Sequence, residues 1–151
     1  MSTVVITAEN AQKAFDSANQ ETKNTLAILM PDVFKRPIMD RVKSWEDLCS
    51  IKGIDPVYSL PYPNEQSDHE KAVNALHKIM TIADLFNQEA EFTGNHYYPY
   101  FDISGGGFSF RGYSYDYTYS TVGARLCFHS KQHAIYAGKQ FIDIYKLYHT
   151  K

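Results

Sequence analysis

The period of the apolar positions changes twice along this chain, the second time at a final helix from Lys131. Up to about residue 88 they recur three and four apart; from residue 97 they alternate. Ala11, Phe15 and Ala18 fall at helical spacing, and Leu26, Leu29 and Met30 form a second short stripe. The spacing predicts helix from Ala8 to Met30 in two pieces, broken at Ser17 or Asn19. Pro31 ends the run, because the residue before a proline is pushed out of the helical region. Asp32 to Pro37 reads as a connector. A short helix is predicted over Ser44–Ile51. Ser44 caps it, Glu46 and Asp47 sit where the helix dipole favours acid, and Gly53 stops it. Trp45, Leu48 and Cys49 give it an apolar side. Asp55–Ser67 carries Pro56, Pro61 and Pro63 and reads as a loop, the most mobile stretch. The clearest helix spans His69–Asn87. Val73, Leu76, Ile79, Met80, Ala83 and Phe86 line it, Glu70, Lys71, Asn74, Lys78 and Thr81 fall elsewhere, and Ser67 or Asp68 caps it.

Tyr97–Ile103 suits a strand, and Pro99 within it argues for an edge or a bulge. Gly105, Gly106 and Gly107 read as a turn. Phe108 and Phe110 alternate with Ser109 and Arg111, but beyond Gly112 the rings fall on Tyr113, Tyr115, Tyr117 and Tyr119. That flip of parity predicts a bulge or tight turn at Gly112, since one extra residue swaps the faces. Val122, Ala124, Leu126 and Phe128 then alternate with Gly123, Arg125 and Cys127, predicting a last strand with its apolar set in the core. A final helix is predicted from Lys131 to about Tyr148, capped by Ser130. Its stripe is Ala134, Ala137, Phe141, Ile144, Tyr145 and Tyr148, with Gly138 on the same face for close helix–sheet packing. The expected class is α+β: N-terminal helices plus a small antiparallel Tyr-rich sheet packed on a C-terminal amphipathic helix. One domain over 1–151 is expected, helical over about 8–88 and strand-rich with the terminal helix over about 96–149.

Length and composition agree with this. A chain of 151 residues buries roughly 68–70% of its unfolded surface, enough for a core without staples. Aromatic residues make up 15%, with 12 Tyr, whose polar tips allow half-exposed positions. The charge is uneven. From Pro61 to Ser104 two lysines (Lys71, Lys78) face seven acids; from Gly105 to Lys151 Arg111, Arg125 and four lysines face only Asp116 and Asp143. Such a gradient can steer a partner. Cys49 and Cys127 lack framework spacing; one disulfide is allowed, and two buried thiols is the simpler reading. Neither a leader segment at Met1–Thr7 nor an apolar run near the ~18 residues of a membrane span is evident, so a reducing, cytoplasmic location is expected, with no membrane contact.

The Tyr ribbon is the main candidate for chemistry. Tyr113, Tyr115, Tyr117 and Tyr119 share one strand face, about 7 Å apart at ~3.3 Å per residue. Such rings can stack unpaired bases, and Arg111, Arg125, Lys131 and Lys139 can meet phosphates. Tyr is equally a strong strand former whose cross-strand pairs stabilise sheets unaided, and the RNA-binding sheet signature is missing. The glycine triplet lacks the Gly-Lys-Ser/Thr that a phosphate-cradling loop needs before a helix. Cys127, His129 and His133 are near neighbours, but a structural zinc wants four ligands, and Cys49, His69 and His96 are scattered. A Cys127–His nucleophile would need a lowered thiol pKa and a placed base. Glu89 with Glu91 and Glu46 with Asp47 read as solvated helix ends. The residues therefore nominate no catalytic residue, cofactor or metal. They leave two readings: a protein-interaction module that binds another protein or itself, through exposed Tyr and Arg or the strand edge near Tyr97–Ile103, and a single-stranded nucleic-acid binder using the Tyr face.

The wording of several segments is distinctive: Tyr97-Tyr98-Pro99-Tyr100-Phe101, the glycine-rich aromatic stretch after it, Val122–Phe128 (VGARLCF), Ser130, Tyr136–Lys146 (YAGKQFIDIYK) and Asp40–Asp47 (DRVKSWED). Together they cover most of 31–148, and the chain is similar to a group of small proteins encoded by phages and prophages of gut Bacteroidales. The resemblance implies a mobile-element origin and nothing about mechanism; the interaction reading is then a phage accessory or assembly factor that binds a host or phage protein, or itself. The resemblance assigns no residue a role.

Overall fold

The structure is a computed structural model, and it describes residues 7–31, 33–34, 36–117 and 124–150. The chain divides into two compact units, Met1–Asp40 and Arg41–Lys151. In the first, Thr7 caps α1 (Ala8–Ser17) by accepting from the Asn10 amide at 3.3 Å, and Asn19 caps α2 (Gln20–Leu29) by accepting from Thr22 at 2.9 Å. The break thus falls where the polar residues offered a second cap. Phe15 stacks on Phe34 at 4.8 Å, and Arg36 donates to the Asn24 side chain at 2.9 Å. A single helical turn, α3 (Ile38–Arg41), crosses residue 40.

The second unit carries most of the fold. α4 (Trp45–Lys52) opens with a capping box between Ser44 and Asp47 and closes on Gly53 at φ 66°, the left-handed conformation that glycine adopts freely. α5 (Asp68–Asn87) opens with a second box, Ser67 with Glu70, and buries Ile79, Ile82, Ala83 and Phe86. Asn74 departs from the sequence pattern: it is 2% exposed. Its amide donates to the Tyr62 carbonyl (2.8 Å) and the Glu65 carboxylate (2.7 Å) and accepts from the Tyr62 N–H (3.0 Å). A proline-rich loop has backbone groups that no helix or strand pairs, and here a buried side-chain amide pairs them. Trp45 Nε1 adds a bond to the Pro56 carbonyl at 2.8 Å. The expected loop is therefore pinned along much of its length.

β1 (His96–Asp102) pairs antiparallel with β2 (Ser109–Asp116). Tyr97 lies opposite Tyr115, Pro99 opposite Tyr113, Tyr100 opposite Gly112 and Phe101 opposite Phe110, so Arg111 is the extra residue of a bulge. Gly112 takes φ 152° there. The parity flip thus has the cause read from the sequence. Gly105 and Gly106, with φ 64° and 75°, make the turn between the strands.

The predicted last strand is the main correction. Ala124–Leu126 is a 3-10 turn, and among the described residues of this segment only Phe128 joins the sheet, in a single bridge with Tyr97. Cys127 and Phe128 are both buried, which alternation forbids. In an antiparallel ladder the next hydrogen-bonded rung would set Leu126 against Pro99, and proline has no N–H to donate. The far side of this segment is also taken: Asn87 donates to the Cys127 carbonyl (2.9 Å) and accepts from the His129 amide (2.7 Å). Val122 and Gly123 lie outside the described residues.

The terminal helix is two helices, α6 (Lys131–Gln140) and α7 (Ile142–His149), parted at Phe141 with φ −109° and ψ 30°. Ser130 caps α6, accepting from the His133 amide. α6 covers the sheet and α7 lies along α5. At Gly138 helix and sheet touch: a Cβ there would stand 2.6 Å from Pro99 Cβ and 2.7 Å from the Phe110 ring. Ala137 is fully buried and Phe141 nearly so.

Candidate functional site

Backbone groups along a strand alternate sides, and β1 uses its two edges differently. Tyr97 donates to the Phe128 carbonyl at 2.9 Å and accepts from the Phe128 N–H at 2.7 Å. Tyr98 and Tyr100 therefore turn toward β2, while Pro99 and Phe101 turn the same way as Tyr97. Because Ala124–Leu126 has coiled away, no described strand lies opposite Pro99 and Phe101 on that side.

A groove of about 450 Å³ runs beside this open edge. Pro99, Phe101 and Ile103 line it together with Tyr145, Tyr148 and His149 of α7, Ile79 of α5 and Leu126. The lining is mostly apolar and aromatic. Phe101 lies 4.9 Å from the Tyr145 ring and 5.7 Å from His149. Tyr100 and Ile103 are 59% and 60% exposed, so the lip is apolar as well. At its side Tyr145 is 4% exposed, and its hydroxyl has no hydrogen-bond partner among the described residues. Burial pushes that hydroxyl's pKa up, so it stays protonated and can donate or accept. Burial also holds the His149 ring below its ordinary pKa of 6.5. An apolar groove with one unsatisfied hydroxyl and a strand edge that no described strand pairs suits an extended chain: backbone groups bond along the strand and a side chain fills the aromatic pocket.

The strand edge near Tyr97–Ile103 picked out by sequence borders this groove, whereas the Tyr and Arg side chains picked out with it do not converge there. Tyr113 is half-buried, with Lys131 Nζ 4.8 Å over its ring, on the sheet face that α6 covers. Tyr115 (48% exposed) and Tyr117 (61%) meet edge to face at 5.7 Å, beyond the helix. Tyr119 lies outside the described residues. Arg111, the bulge residue, is held by Asp102 through two bonds of 3.1 and 2.7 Å. Hydrogen bonds from Ser104, then Arg111, keep the Asp102 carboxyl well below the usual range. Arg125 is exposed and lines a different cleft. Lys139 lies over Phe110 at 5.6 Å.

Cys127 does not reach a second sheet face. It is 1% exposed, and burial pushes its pKa up to about 11, the opposite of an activated nucleophile. Cys49 is also a free, buried thiol whose pKa burial raises. His129 keeps Nδ1 3.1 Å from the Ala90 carbonyl, and His133 packs edge-on to Phe86 at 5.3 Å. Among the described residues no group of three His, Cys, Asp or Glu is placed to hold a metal. Glu89 is ion-paired with Arg41 and Asp47 belongs to the α4 cap. Among the described residues no helix is long and apolar enough to cross a membrane. No protein-family model, curated protein or solved structure matches the chain.

Proposed function

We propose that this chain is a protein-interaction module whose groove beside β1 receives an extended segment of another polypeptide as a third strand. One observation carries the reading: the backbone of Pro99 and Phe101 faces an apolar groove where no described strand pairs them. Strand addition draws affinity from main-chain bonds and selectivity from the pockets that alternate side chains enter. Pro99 removes one donor from the edge, which weakens indiscriminate pairing and leaves more of the selectivity to the aromatic wall. The partner is a host or phage protein, or a second copy. With the mobile-element origin that the resemblance of its motifs implies, this reading makes the chain a phage accessory or assembly protein of the host cytoplasm.

Selection from a displayed library of random peptides tests this. Selected peptides should share an extended, apolar-containing pattern and lose binding to Leu126→Arg, which fills the groove. Peptides that bind Leu126→Arg equally well, or a library that yields none, would refute it. Chromatography at two concentrations reports the second-copy version, which Ile103→Arg should disrupt. Tyr115 and Tyr117, exposed and adjacent, favour a second reading as a single-strand nucleic-acid platform. That reading requires oligonucleotide binding that weakens steeply with salt.

A further inference from the structure

A second cleft, of about 770 Å³, opens along another face of α5 and shares no lining residue with the β1 groove. Its volume falls within the range of small-molecule sites, roughly 300–1,000 Å³. Its charges are not balanced. Lys52 Nζ sits 2.8 Å from Asp84, which is 63% exposed, while Arg125 is exposed and makes no ion pair among the described residues. Two cations therefore face one carboxylate. His129 also lines the cleft, with its Nδ1 held 3.1 Å from the Ala90 carbonyl. Ser59 also lines the cleft, with its hydroxyl buried and without a protein partner. Such a hydroxyl costs stability unless something completes it. Ile54 and Met80 supply an apolar flank.

We propose that this cleft binds a small organic oxyanion, a phosphate monoester or carboxylate, with the anionic head on Arg125 and Lys52 and the apolar body on Ile54 and Met80. An arginine fork suits a two-oxygen head, and Ser59 supplies a further donor. Asp84 opposes the ligand by occupying Lys52 and by its own charge. The site is independent of strand addition at β1.

Calorimetric titration with phenyl phosphate, benzoate, inorganic phosphate and phenol tests the assignment. Saturable binding of phenyl phosphate or benzoate, severalfold tighter than inorganic phosphate and with no phenol binding, is expected; which of the two binds tighter identifies the head group. Arg125→Ala should weaken binding about tenfold, the worth of one charge-assisted contact. Asp84→Asn should tighten it severalfold. Both positions are exposed, so these variants fold as the parent does. No saturable binding of either organic anion below about 10 mM, or affinities unchanged in both variants, would overturn the proposal.

Discussion

The face and the open edge of β1 differ by how much room each leaves. On the face, α6 comes so close that Gly138 has no space for a methyl group between Pro99 and Phe110. At the edge, the same Pro99 borders an open groove. The difference teaches that the groove is preformed. A strand wedged against a helix at one face cannot shift to close a gap beside it, because packed interiors do not deform continuously. Pro99 serves both regions: its ring packs under α6, and its missing N–H leaves the ladder incomplete.

Substitutions can break this contrast, beginning with the face. Gly138→Ala should cost a net ~1–3 kcal/mol, since overpacking outweighs the ~1 kcal/mol of helix propensity gained. Urea unfolding measures it; a stabilised variant would mean that the face has slack. Acid comes next and acts on both regions. Burial holds His133 on α6, His149 in the groove and His77 on α5 below the ordinary 6.5. The unfolded chain then takes up protons first. Stability present above pH 6.5 should fall as the pH drops through that value toward the lower folded-state pKa values. Thermal melts across that window check this, and His133→Gln should flatten part of the slope. Within the groove, Tyr145→Phe removes an unpartnered buried hydroxyl and should raise stability by up to about 1 kcal/mol; a loss would mean that the hydroxyl is satisfied. Ile103→Ser, on the exposed lip, should change stability by less than about 0.5 kcal/mol while weakening peptide binding.

Local patterns carried much of the fold. Ser44, Ser67 and Ser130 cap the helices they precede, because an N-cap depends on residues within one turn. The bulge at Gly112 was legible because alternation is strict within a strand. The third strand was misread because its failure depends on two distant segments: Val122–Phe128 alternates well, yet its rung opposite Pro99 lacks a donor. The edge near Tyr97–Ile103 was legible as a pairing site, but the groove beside it was not, being the space that strand would have filled. Helical spacing sets Asn74 off the apolar stripe of its helix and Tyr145 on that of the last one, but spacing cannot show that Asn74 clasps a loop or that the Tyr145 hydroxyl is unpaired. Nothing in the wording around Phe141 marked the break between α6 and α7.

Amide hydrogen exchange along β1, followed residue by residue by NMR, tests the open edge most directly. With β1 bonded to β2 through Tyr98 and Tyr100 and to Phe128 only at Tyr97, the amides of Tyr97, Tyr98 and Tyr100 should be protected and that of Phe101 should exchange quickly, slowing only when a selected peptide is bound. A Phe101 amide as protected as that of Tyr100 in the free protein would mean that the edge is already paired, and the groove could not be a docking site for a third strand.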